Sequence, residues 1–346
     1  MAELTPMERV LTVLSGKIPD RVPLFLLFSM YGAKECNMDI KEYFNDVDAV
    51  VDTQLMLQKK YHTDCLYTFS YASIETEAFG GDTIFYPQGP PNAGAPIITS
   101  SKDIDSLASP DVASSEPLRR ILRITQKLKA AVGDTIPIIG VVMSPFSIPV
   151  MQMGFESYLK LLHKDRPRFN RLMQCNKKFC IEWANAQLGA GATAICYFNP
   201  LASTDMIEKG LYLQTGYPID CEVIKNIQGP TATHLASGRT QSILGELAQS
   251  GTYIVAVSGK DSLANIKKTS PLTIMGNLCG ISMSSWNKTE TKQHVKAALE
   301  LGMPGGRFIL ADNHGEIPWQ VEEETLLTIS ECVADWGTYS REQNKE

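Results

Sequence analysis

Apolar residues fall along this chain in two alternating textures. Short, near-continuous apolar runs of strand length alternate with longer stretches in which apolar positions recur three and four residues apart, the pattern of a helix with one buried face. The chain opens on a helix. Thr5 can cap it, Pro6 suits the first helical position, Glu8 completes a capping box, and Val10, Leu11, Val13 and Leu14 make its apolar face before Gly16 and Pro19 stop it. The apolar run over 22–28 then reads as a strand buried on both faces. The same alternation predicts helices over about 45–61, 116–132, 165–188, 218–228, 241–250, 261–268, 288–301 and 319–337. Further strands begin near 64, 135, 192, 231, 253, 272 and 307, and helix stops fall at Gly189, Gly229, Gly251 and Gly302.

Counting the run at 22, eight strands are interleaved with helices, which predicts an α/β fold, a (β/α)8 TIM barrel, as one domain over 1–346. An open doubly wound sheet has less support, because no Gly-x-Gly-x-x-Gly follows the first strand. Residues 71–112 break the rhythm with turn signals between short β-prone runs, so an antiparallel insertion after the second strand is expected over the barrel mouth.

Composition narrows the function classes. The chain has 346 residues, 44% hydrophobic and 20% charged, enough to bury a large core. Net charge is 32 − 38 = −6 with no basic stripe, which argues against nucleic acid as a partner. The polar start and the absence of any apolar run near membrane-spanning length predict no membrane association. Eight cysteines scattered through apolar segments read as reduced thiols, hence a cytoplasmic protein.

In a barrel, the residues just after each strand face one common site. Of only five histidines, two stand at such positions: His234, at the end of the fifth strand, and His314, just after the eighth. That pair suggests a centre that binds a metal or moves a proton. Around it the strand ends offer Met30, Tyr67, Met143 and Tyr197 as pocket walls, Asn199 and Asn277 as polar groups that orient substrate, and Cys279 and Asp312 as further donors. Methionine and aromatic side chains with few charges suit a small, largely apolar substrate. No paired carboxylates of glycosidase type, no Gly-x-Ser-x-Gly elbow and no phosphate-binding glycine loop stand out.

Several stretches together resemble the uroporphyrinogen decarboxylase superfamily, and especially its corrinoid-dependent methyltransferase branch, the methylcobalamin:coenzyme M and substrate:corrinoid methyltransferases. They are the opening Met7–Pro23, Ser144–Pro149, Gly189–Ile195, Asn199–Ser203, Met275–Leu278 and Phe308–Gly315, in matching order over nearly the whole chain. The decarboxylase's arginine-rich substrate motif is replaced here by Phe28-Ser-Met-Tyr-Gly-Ala-Lys34, so decarboxylation of a polycarboxylate porphyrinogen is not expected.

The resemblance implies a methyltransferase that moves a methyl group between a small methylated substrate and the cobalt of a corrinoid carried by a separate corrinoid-binding protein. The branch's thiol-methylating members hold zinc through a His-x-Cys pair after strand five and a Cys after strand eight. His234 matches the histidine, Ala236 stands at the first cysteine position and His314 at the second. A zinc held by His234 and His314, with Asp312, Glu316 or Cys279 as a third ligand, would carry less thiolate. It would be more electrophilic and would suit an ether oxygen better than a thiol. His234, His314 and Asn199 are then the expected catalytic residues. Two further readings stand beside this one: transfer from methylcobalamin to an acceptor, and a family member that has lost its metal and acts as a binding protein.

Overall fold

The computed structural model describes residues 3–339. Ten strands form among the described residues, and eight of them make one parallel sheet: β1 (Leu24–Phe25), β2 (Leu66–Tyr67), β5 (Ile138–Met143), β6 (Ala194–Phe198), β7 (Thr231–His234), β8 (Ile254–Ala256), β9 (Thr273–Leu278) and β10 (Phe308–Asp312). The sheet order is β1-β10-β9-β8-β7-β6-β5-β2, so each strand from β5 onward lies beside its sequence neighbour. The two ends meet where the Asp64 N–H donates to Leu24 O at 2.7 Å. The predicted TIM barrel is the fold observed, with its helices in the expected places, for example Val47–Tyr61, Glu116–Val132, Arg166–Gly189 and Lys288–Gly302. The insertion is also present. β3 (Thr83–Tyr86) and β4 (Gly89–Ala93) pair antiparallel, and the Gln320 amide donates to Gln88 O at 2.9 Å, tying the hairpin to the segment after β10.

The apolar run at 22–28 predicts a longer strand than the ladder contains, because β1 and β2 each pair over only two residues. Side chains take over the backbone groups that a longer neighbour would have satisfied. Gln54 donates to Phe28 O at 2.9 Å and accepts from Tyr67 N at 3.2 Å. The Glu75 carboxylate accepts the N–H of Met143 at 3.0 Å, beyond the point where β2 ends.

The seam is pinned at the opposite end of the barrel by buried charge. Asp64 is fully buried and receives Arg9 at 2.6 Å, Arg21 at 2.7 Å and Leu24 N at 2.8 Å, and Arg9 also reaches Asp20 at 2.6 Å. The opening helix (Pro6–Leu14), with the predicted Thr5–Glu8 capping box formed, is thereby clamped to β1 and β2. All eight cysteines are free thiols. Among the described residues no helix is long and apolar enough to cross a membrane.

Candidate active site

Strand alternation decides which predicted residues reach the barrel interior. On β6, Phe198 points inward. Its ring stacks on His234 with centroids 4.6 Å apart and planes at 16°, and on Phe69 at 5.9 Å and 8°. Its neighbour Tyr197 therefore points the other way. The Tyr197 hydroxyl donates to Asp220 at 2.6 Å, in the helix Gly216–Asn226. Tyr197 is thus a residue of the strand–helix layer, a correction to its expected place on the pocket wall.

Asn199 leans toward the same layer. Its Oδ1 accepts from Ser144 at 2.7 Å and Ser147 at 2.8 Å, and its Nδ2 donates to Asp220 at 2.6 Å. Tyr212 adds a third donor to Asp220 at 2.7 Å, and burial pushes the Asp220 carboxyl up to about 7. The Asn199 amide spends its oxygen and one of its two N–H groups on this network. Nothing in the sequence around Asp220 flags it except a lone acid on an otherwise apolar helix face.

His234 closes β7 at the barrel mouth and is fully buried. Burial, with help from the nearby His314, pulls its pKa down to about 3. Its Nδ1 accepts the N–H of Ala236 at 3.0 Å, while Nε2 is buried and without a hydrogen-bond partner. The next residues turn sharply, with Ala236 at φ 46° and Ser237 at φ 68°. Ser237 N–H then donates to Asn313 O at 2.8 Å and its hydroxyl sits 3.1 Å from His314 Nδ1, which locks the β7 turn to the β10 turn. The two histidines that lie far apart in sequence are therefore brought to one side of the mouth.

The remaining candidates divide. Asp312 is buried and spent on backbone N–H groups: Gly315 at 2.7 Å, His314 at 3.1 Å and Leu27 at 3.4 Å. Burial holds its carboxyl above the usual carboxylate range. Tyr67 donates to Gly315 O at 3.0 Å, and Gly315, at φ 96°, lies against the Phe198 ring. Glu316 accepts from Ser29 at 2.8 Å and is pushed up to about 7 by burial. Met143, last residue of β5, pairs beside Phe198, and Met30 is buried at the start of the short helix Tyr31–Glu35. Asn277 and Cys279 line a different cavity, a groove of about 450 Å³ with Trp286 and His294 among its walls and neither candidate histidine. Phe69, Ser237 and the Ala236 amide are candidate site groups that sequence reasoning did not single out.

The residues do not fit the expected zinc. Among the described residues no three His, Cys, Asp or Glu side chains converge on a point that could hold a metal ion. Cys279 is turned into the groove, where its sulfur accepts from Ser282 at 3.2 Å, and Asp312 is occupied by the backbone. A metal-binding imidazole donates its other ring N–H to an acceptor, whereas His234 Nδ1 faces a donor.

The fold is a TIM barrel, and the carboxyl ends of its strands, where such barrels place their chemistry, carry a buried histidine with aromatic neighbours. The family model for uroporphyrinogen decarboxylase (URO-D) matches residues 5–336, and the chain belongs to that family. Among similar proteins, a methylcobamide:CoM methyltransferase MtaA of Methanosarcina barkeri is 24% identical, over 92% of this chain and 94% of its own length. A uroporphyrinogen decarboxylase of Mycolicibacterium gilvum is also 24% identical, over 90% and 93%. A solved methyltransferase from Methanosarcina mazei superposes with a TM-score of 0.87 at 20% identity, covering 96% of this chain and 99% of that one.

Proposed function

We propose that the protein is a methyltransferase that moves a methyl group between a small methylated substrate, such as a methyl ether, and the cobalt of a corrinoid held by a separate protein. The observation that carries this reading is the composition of the mouth: a buried histidine with a free ring nitrogen, stacked in a Phe69–Phe198–His234 column. Such a site suits a compact apolar group with one polar atom. Arg9 and Arg21, the arginines nearest β1, are spent on Asp64 and Asp20 at the far end of the barrel, which leaves the polycarboxylate of a porphyrinogen without cationic partners there. The similarity to methyltransferases over nearly the full chain points the same way.

The corrinoid supplies the nucleophilic cobalt when its carrier is bound. This chain's part is to seat the methyl-bearing group against Phe198, orient it through His234 and exclude water. Ile84 and Tyr86 on the hairpin, Met206 after β6 and Ile281 after β9 are large exposed apolar residues on the connections that follow the carboxyl ends of strands, a surface suited to a docked carrier. The names of the methylcobamide:CoM methyltransferase relatives favour a second reading, in which the methyl group travels from methylcobalamin to an acceptor.

The test is anaerobic incubation of the purified protein with reduced corrinoid and a panel of methyl ethers, followed by visible spectroscopy, and with methylcobalamin and a panel of acceptors in the other direction. Conversion of the reduced corrinoid spectrum to the methylated one supports the first reading. Transfer in neither direction, with substrate bound, leaves a binding protein.

A further inference from the structure

We propose that His234 is a fixed hydrogen-bond donor for an oxygen atom of the methylated substrate, and not a ligand for a cation. A ring nitrogen that accepts an N–H carries no hydrogen of its own. Because Nδ1 accepts from Ala236 N–H at 3.0 Å, the imidazole hydrogen belongs to Nε2. The backbone holds this polarity in place. Ala236 and Ser237 are both in the left-handed region, and Ser237 N–H is bonded to Asn313 O at 2.8 Å, so the Ala236 amide cannot turn away without breaking that link. The zinc-holding arrangement needs the reverse, a hydrogen on Nδ1 pointing at an acceptor.

Nε2–H is buried with nothing to donate to, and a buried donor left unpaired is costly, so the site is built for an acceptor that is absent from the protein itself. The ring is stacked on Phe198, which is stacked in turn on Phe69, so the surroundings of Nε2 are apolar. Sulfur accepts weakly, and an ether or phenolate oxygen accepts well. Resting on the methyl-transfer reading, the substrate class is a methyl ether. As the methyl–oxygen bond breaks and the methyl group passes to the carrier's low-valent cobalt, the electron pair stays on oxygen. The Nε2–H bond to that oxygen strengthens as the charge develops, and the released oxyanion takes its proton from solvent. Nε2 meets no solvent in this closed arrangement, so an acceptor must displace a neighbouring group to reach it.

The experiment is nitrogen NMR of protein carrying ¹⁵N-labelled histidine, with and without added zinc. The His234 signals are identified by their loss in His234→Phe, a variant that keeps a ring against Phe198. An Nε2–H pattern that zinc leaves unmoved is expected; an Nδ1–H pattern, or a His234 signal shifted by stoichiometric zinc, overturns the proposal. A second arm compares binding of anisole and its oxygen-free analogue ethylbenzene. Wild type should prefer anisole by roughly fivefold, the worth of one neutral hydrogen bond, and His234→Phe should lose that preference. No anisole preference in wild type overturns the donor role. An intact Nε2–H pattern and anisole preference, beside a failed corrinoid assay, supports the donor and overturns the methyl-transfer reading alone.

Discussion

The ring of Phe198 lies flat against the imidazole of His234, 4.6 Å between centroids, and the open face at Gly315 is what lets it stay there. A β-carbon at Gly315 would sit 2.0 Å from the Phe198 Cζ, and the residue's φ of 96° is one that side chains disfavour. Gly315→Ala should therefore displace Phe198, cost about 1–3 kcal/mol and abolish turnover. Thermal unfolding and the methyl-transfer assay check this together. A variant with wild-type melting and activity would mean that the turn is free to move aside.

Asp64 carries the seam of the barrel. Removing its carboxylate takes a partner from two arginines, one of them almost fully buried, and frees the Leu24 amide. Asp64→Ala should lose about 3 kcal/mol in denaturant unfolding, because buried Arg9 is left with only one of its two carboxylate partners, Asp20. A loss below about 1 kcal/mol would show that the opening helix is held by its apolar face alone.

The Asp220 network predicts a separation between stability and ligand binding. Asp220→Ala leaves the donors of Tyr197, Tyr212 and Asn199 unpaired behind the strand, each at about 1–3 kcal/mol. Asn199→Ala should likewise lower the melting temperature while leaving the affinity of folded protein for substrate near wild type. A raised KM with unchanged melting would return Asn199 to the substrate site.

Stability should decline as pH rises toward 7. Burial pushes Asp220, Glu75 and Glu316 each up to about 7, above their ordinary values of 3.8, 4.5 and 4.5. Between the unfolded and folded values the native state holds protons that the unfolded chain has released, so stability falls with rising pH across that window and levels off above it. Each group contributes at most about 1.4 kcal/mol per pH unit. Melting temperature should thus drop by several degrees from pH 5 to pH 8, and Asp220→Asn should flatten part of the slope. A melting temperature that climbs over that range would place these carboxyls in contact with water.

The barrel was legible in the sequence because its two signals are local. A strand buried on both faces must be apolar throughout, and a helix with one buried face must repeat its apolar positions every three to four residues. The strands at 22, 64, 135, 192, 231, 253, 272 and 307 and the glycine stops between them follow from that alone, as does the arrival of His234 and His314 at strand ends on the same side. What the sequence did not decide was direction. Whether Tyr197 faces the mouth or Asp220 depends on a pleat register set by Phe198 and its neighbours. Whether Asp312 is free or spent on amides depends on the turn that follows it. The polarity of His234 depends on two left-handed residues, Ala236 and Ser237, anchored to a turn nearly eighty positions away. Periodicity is a property of neighbours in the chain. The orientation of a ring nitrogen is a property of neighbours in space, and only the closed barrel brings those together.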